Sequence, residues 1–169
     1  MNACLQVIQS IDRPDSPYSH ALQTLRDKIK AALDDDQRLQ RAAVEYSKLF
    51  LLPGGVVPYA SYHLSDKNLI KQGPWEAVYR YYIKRGWRLD ESSEPLADHV
   101  SVELAFMGKL IQEGDAESQQ DFFNDHVSPW VTDFLYEVAS HAGSDLYRTV
   151  ACYGQTFLAD EKNRLSFKG

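Results

Sequence analysis

Cysteine is nearly missing: Cys4 and Cys152 are the only two in 169 residues. Thiols so far apart make neither a disulfide framework nor a CxxC pair, and a reducing compartment fits best. Also missing is any 18-residue apolar run, or a charged start followed by an apolar core and a cleavage site. Nothing therefore suggests export or membrane insertion, and a cytoplasmic location is expected. Basic residues are the minority, 18 against 24 acids, for a net charge of -6 and a pI of about 5.3. That balance argues against general binding to nucleic acid or anionic membrane, while an acidic surface attracts a basic peptide. The five histidines show no HExxH or paired ligand spacing, and no GxSxG elbow occurs. Gly54-Gly55 lacks the Gly-Lys-Ser/Thr end of a phosphate loop, so it reads as a turn. No catalytic residue, metal site or cofactor is expected.

Alternating strand patterns are absent as well, and helical spacing takes their place. A short segment, Ala3 to Ile11, stops before Arg13-Pro14-Asp15-Ser16-Pro17, whose prolines break a helix. Ser19 to Leu33 repeats through Leu22, Leu25, Ile29 and Leu33, and the acids Asp34 to Asp36 then form a solvated connection. Gln37 to Leu52 follows, stopped by Pro53-Gly54-Gly55. Val56 to His63 reads as an extended, aromatic-rich loop. A short helix is expected from Ser65 or Asp66 until Gly73-Pro74, then a second carrying Trp75, Val78, Tyr79, Tyr82 and Ile83 until Gly86. Three more helices follow: one from Ala116 to Val127, one after Ser128-Pro129, and a last one opened by Ser144. The expected fold is all-α, a single helical domain over 1–169 with six or seven helices and no solenoid repeat. Two lobes around a hinge near 87–94 are the variant, and such a hinge permits a monomer or a domain-swapped dimer.

The most informative stretch runs from Ser92 to Ile111, where a polar turn enters an amphipathic helix. Pro95 suits a turn or a first helical position, and Asp98 is expected to cap the free amides beyond it. Val100, Leu104, Met107 and Ile111 then mark the inward face. Asp98 and His99 at this helix start, with the Pro58 to His63 loop, have the composition of a groove for a peptide. Tyr59 and Tyr62 offer apolar contact, Ser61 a hydrogen bond, and Glu94 and Asp98 carboxylates for arginine, which takes a carboxylate in bidentate fashion. A small hydrolase using Asp98 and His99 is a weaker alternative, because adjacent residues seldom aim at one reacting atom. His126 reads as a hydrogen-bonded core histidine and Cys152 as a buried small residue.

Several stretches together resemble the TorD/DmsD/NarJ-like family of cytoplasmic maturation chaperones for molybdenum-cofactor oxidoreductases. From about Glu45 onward, Glu45-Tyr46-x-x-Leu49-Phe50 resembles its acidic-Tyr-x-x-Leu-Phe helix, and Pro58-Tyr59-x-Ser61-Tyr62 resembles its Pro-aromatic-x-Ser loop. Glu94-Pro95-x-x-Asp98-His99 resembles its Glu-Pro-x-Asp-His turn, with one more residue between Pro95 and Asp98. His126-x-x-Pro129-Trp130 resembles its His-Leu-x-Pro-Trp helix, and Tyr147-Arg148 fits the start of its last helix. Tyr59 stands where some relatives carry tryptophan.

The resemblance implies an all-helical protein that is not an enzyme. It implies a partner, the precursor of an exported molybdoenzyme catalytic subunit, bound through its twin-arginine signal peptide and retained until the cofactor is inserted. By this likeness Asp98 and His99 lead the peptide contacts. Tyr59, Ser61 and Tyr62 form the facing wall, Glu94 and Pro95 belong to the turn, and His126 and Trp130 support the groove from behind. A helical adaptor for a mature enzyme subunit is the alternative within the same family.

Overall fold

The computed structural model describes residues 19–90 and 96–166. The short helix expected over Ala3 to Ile11, and the site residues Glu94 and Pro95, lie outside the described residues. Eight α-helices are present among the described residues, with no strand beyond an isolated bridge between Tyr59 and His99. They are α1 (Ser19–Leu33), α2 (Asp36–Phe50), α3 (Ala60–Leu64), α4 (Gly73–Lys84), α5 (Val100–Glu113), α6 (Ala116–Phe122), α7 (Val131–His141) and α8 (Asp145–Ser166). The all-α expectation holds, with one or two helices more than expected. The chain forms two compact units, 1–56 with 135–159, and 57–134 with 160–169. Residues on both sides of the expected hinge at 87–94 fall within the second unit, so the division does not lie there.

In the first unit, Leu22 and Leu25 of α1, Leu49 of α2, Val138 of α7, and Ala151 and Leu158 of α8 are buried. Asp35 caps α2 by accepting from the amides of Gln37 and Arg38, which relieves donors that have no intrahelical partner. Glu45 Oε1 accepts from the amide of Ser144 at 2.8 Å, and Tyr147 donates its hydroxyl to the Ala42 carbonyl at 3.0 Å. Gly54, at φ +84°, makes the turn after α2. Gly55 sits so close to the Leu49 carbonyl that a Cβ would lie 2.4 Å from its oxygen. The pair is thus required by a tight backbone reversal. Cys152, expected to be buried, is exposed, because the inner side of α8 passes through its neighbour Ala151.

The second unit carries the aromatic core. Tyr82 of α4, Phe106 of α5 and Phe122 of α6 are wholly buried, with ring centroids 4.7 Å apart for Tyr82 and Phe106 and 4.8 Å for Phe106 and Phe122. Rings at these tilted and edge-on separations add to the gain from burying their area. Pro74 occupies the first turn of α4, so Gly73-Pro74 opens that helix instead of interrupting one. No helix forms over 65–72, and the segment expected to be wholly extended ends in the short α3. After α6 the chain widens into a π-helical turn, Phe123–Val127, where the amide of Ser128 reaches the Phe123 carbonyl five residues back at 2.7 Å.

The inward face of α5 is shifted from the one its apolar spacing predicts. Leu104 and Ile111 are 45% and 50% exposed, and the buried positions are Glu103, Phe106, Met107 and Leu110. Glu103 is the reason: a glutamate holds the central inward position, and apolar periodicity reads such a residue as solvent-facing. No helix among the described residues is long and apolar enough to cross a membrane.

Candidate functional site

The second unit brings the two motif loops together. Tyr59 at the entry to α3 and His99 at the entry to α5 are both extended, and they pair antiparallel. The amide of Ala60 donates to the Asp98 carbonyl at 2.9 Å and that of Val100 to the Pro58 carbonyl at 3.0 Å. The rings of Tyr59 and His99 meet edge to face, 5.0 Å between centroids. Tyr59, Tyr62, His63 and His99 are each partly exposed on this patch.

Asp98 and Ser61, expected to face a ligand, are instead 0% exposed and bonded to each other. Asp98 Oδ2 accepts from the Ser61 amide at 2.8 Å and from its hydroxyl at 2.5 Å. The expected helix cap falls one residue later: His99 Nδ1 accepts from the Ser101 amide at 3.2 Å, which leaves the Asp98 carboxylate free to turn inward. Tyr82 donates its hydroxyl to the Ala97 carbonyl at 3.0 Å and holds the same corner from beneath. Burial holds the Tyr82 phenol far above its ordinary value, with the negative charges of Glu103 and Asp98 adding to the effect.

Behind the patch, Trp130 is 1% exposed and donates its indole N–H to Glu103 Oε2 at 2.9 Å. His63 stacks on that indole at 5.3 Å and donates from Nε2 to the Val57 carbonyl at 2.7 Å. Glu103 Oε1 and Asp98 Oδ1 are buried without a hydrogen-bond partner. Burial, the largest influence, raises the Glu103 carboxyl well above the ordinary carboxylate range; the Trp130 bond opposes this and Asp98 reinforces it. His99 and His126 are both pulled below the ordinary imidazole value by burial, against an upward pull from Asp98 and Asp125 respectively. His126 lies on the π-helical turn, half-buried, against the rings of Tyr81 and Phe122. It lines a cavity of about 270 Å³ together with Glu103, Asp125, Ala60, Leu64 and Pro74.

Glu103 and His63 escaped the sequence reading. The available signal was an acid at the centre of the α5 stripe, three residues before Phe106 and four before Met107. No group of three or more His, Cys, Asp or Glu able to hold a metal ion occurs among the described residues.

The family described as nitrate reductase delta subunit matches residues 12–136, well over half of the chain. The chain belongs to this family, that of the TorD/NarJ-type chaperones. Chaperone protein TorD of Vibrio parahaemolyticus serotype O3:K6 is 27% identical over 144 residues, covering 78% of this chain and 67% of its own length. Chaperone protein TorD of Photobacterium profundum is 31% identical over 144 residues, covering 77% and 63%. That of Aggregatibacter aphrophilus is 31% identical over 124 residues, covering 69% and 56%. The chain thus spans roughly two thirds or less of these relatives. All three are named as chaperones and none as an enzyme.

Proposed function

We propose that this member of the nitrate reductase delta subunit family is a chaperone that binds the twin-arginine signal peptide of an exported molybdoenzyme precursor and assists its maturation before export. One observation carries the reading: the backbone bridge between Tyr59 and His99 joins two loops 40 positions apart into a single patch of partly exposed rings. Tyr59, Tyr62 and His99 face the leader, and the buried Asp98–Ser61 pair keeps the two loops in register. Aromatic side chains suit this task, since they offer large contact area with few torsions to immobilise. The acidic balance of the chain favours a basic leader.

The test is capture of precursor by the purified chain, with and without its leader. The leader-bearing form is expected to be retained. Tyr59→Ala and His99→Ala are each expected to weaken it by about tenfold, which is about 1.4 kcal/mol. Equal capture of the leaderless form would transfer the reading to an adaptor for the mature subunit. A hydrolase built on Asp98 and His99 has little support, because the Asp98 carboxylate is fully buried on Ser61 and His99 Nδ1 is held by Ser101.

A further inference from the structure

Two carboxyl groups, Asp98 and Glu103, are buried within one and a half turns of each other, and among the described residues no lysine or arginine pairs with either. Asp98 is satisfied on one oxygen by Ser61, and Glu103 on one oxygen by Trp130. The remaining Glu103 oxygen is buried without a partner, and Glu103 lines the cavity on whose wall Asp125 and His126 also stand. Buried carboxyls without a countercharge are costly, and natural sites provide a cation or neutralise the acid. At about 270 Å³ the cavity falls below the range of about 300 to 1,000 Å³ typical of whole small-molecule ligands, so it is sized for a side chain. Its charged lining is the two acids Glu103 and Asp125, beside His126; its remaining wall is Ala60, Leu64, Gly73, Pro74 and Ala77, and Leu64 is itself exposed at the edge. An apolar wall with an acid at the base suits a planar, weakly hydrated cation better than a compact ammonium.

We propose that this cavity receives the guanidinium of an arginine side chain from a partner polypeptide, with Glu103 as the facing carboxylate and Asp125 as the charge at the rim. The source of the arginine rests on the leader-binding reading; the chemistry of the cavity does not. Ala60 and Leu64 belong to the same short helix as Tyr62, so one segment lying across the Tyr59–His99 patch reaches both features. The groups facing Glu103 are Asp98 before α5, Tyr82 on α4, and Asp125 and His126 on the π-helical turn. A bound guanidinium supplies the countercharge that no lysine or arginine among the described residues gives Glu103. Glu103 then releases its proton, and affinity rises with pH.

Calorimetry with the full chain tests this, using a synthetic twin-arginine leader, the same peptide with citrulline for both arginines, and N-acetyl-arginine amide. Runs in two buffers of different ionisation enthalpy report the proton. Arginine probes are expected to bind with proton release, and citrulline is expected to lower affinity. Glu103→Gln, which keeps an acceptor for Trp130, is expected to weaken binding about tenfold or more and to abolish the release. Asp125→Asn, at an exposed position, checks the rim without touching the core and is expected to weaken binding about two- to fivefold. Equal affinity for the citrulline peptide, or unchanged binding by Glu103→Gln, overturns the cavity assignment while leaving the leader reading intact. A leader that fails to bind while N-acetyl-arginine amide binds through Glu103 removes the leader reading and keeps the cavity. Failure of both probes removes the proposal.

Discussion

Replacing Asp98 with alanine removes the acceptor for two donors in a site closed to water, the Ser61 amide at 2.8 Å and the Ser61 hydroxyl at 2.5 Å. Each hydrogen bond to a charged group is worth about 1.5 to 3 kcal/mol, so the gross loss is about 3 to 6 kcal/mol. Relaxation of the site around the smaller side chain recovers part of this, leaving a net loss of about 2 to 5 kcal/mol. For a chain of this length each 1 kcal/mol moves Tm by about 2 to 4 °C, so Asp98→Ala should melt about 4 to 20 °C lower. Asp98→Asn keeps an acceptor oxygen and should lose about 1 kcal/mol. Intrinsic fluorescence is the suitable probe, because Trp75, Trp87 and Trp130 all lie in the second unit and report its unfolding. His99→Ala, at a partly exposed rim, serves as the contrast: it should weaken leader binding while moving Tm by less than about 2 °C. If Asp98→Ala melts with the wild type and yet loses the leader, Asp98 is a surface contact and the argument from its burial is wrong.

Glu103 predicts a pH dependence of definite sign. Burial holds its folded carboxyl well above the ordinary value of 4.5, so above that pH the folded protein holds more protons than the unfolded chain. Stability therefore falls as pH rises from about 4.5 toward the raised value, and Glu103→Gln should flatten this slope in urea titrations at pH 5 and pH 8; an unchanged slope would assign it to another group. Gly55→Ala drives a Cβ into the Leu49 carbonyl, and Gly108→Ala in α5 meets nothing within 4 Å. The first should destabilise by about 2 kcal/mol or more, and the second should stabilise by up to about 1 kcal/mol, both read by thermal melting. Cys152 is exposed, so a Cys4→Ser variant should still react with a thiol reagent under native conditions; protection until unfolding would contradict this.

Most of the helices were legible because they obey periodicity and have strong ends. The Ser19–Leu33 bounds match the spacing of Leu22, Leu25, Ile29 and Leu33, and Gly86 and Gly114 terminate α4 and α5 in the left-handed conformation that glycine favours. The pairing of the Tyr59 and Asp98 loops was suggested by their composition and by family resemblance and not by spacing, since backbone bridges between distant loops leave no local pattern. What could not be read locally was the direction of the polar side chains. Asp98 and His99 both have the chemistry of a cap, and only the approach of Ser61 decides that Asp98 turns inward while His99 caps.

The same ambiguity explains the shifted face of α5. A periodicity that counts apolar residues assigns Glu103 to solvent and rotates the helix toward Leu104 and Ile111; the structure rotates it back, because Trp130 offers an indole N–H at the position Glu103 occupies. Mutual satisfaction of a buried acid and a buried indole leaves each dependent on the other. Trp130→Phe should keep the ring packing against His63 and Phe134 but strand Glu103 Oε2 without its donor, at a cost of about 1 to 3 kcal/mol. Glu103→Gln combined with Trp130→Phe should then cost less than the sum of the two single changes. Strict additivity in chemical denaturation would mean that the two groups are neighbours without being partners, and that the position of α5 is set by its apolar contacts alone.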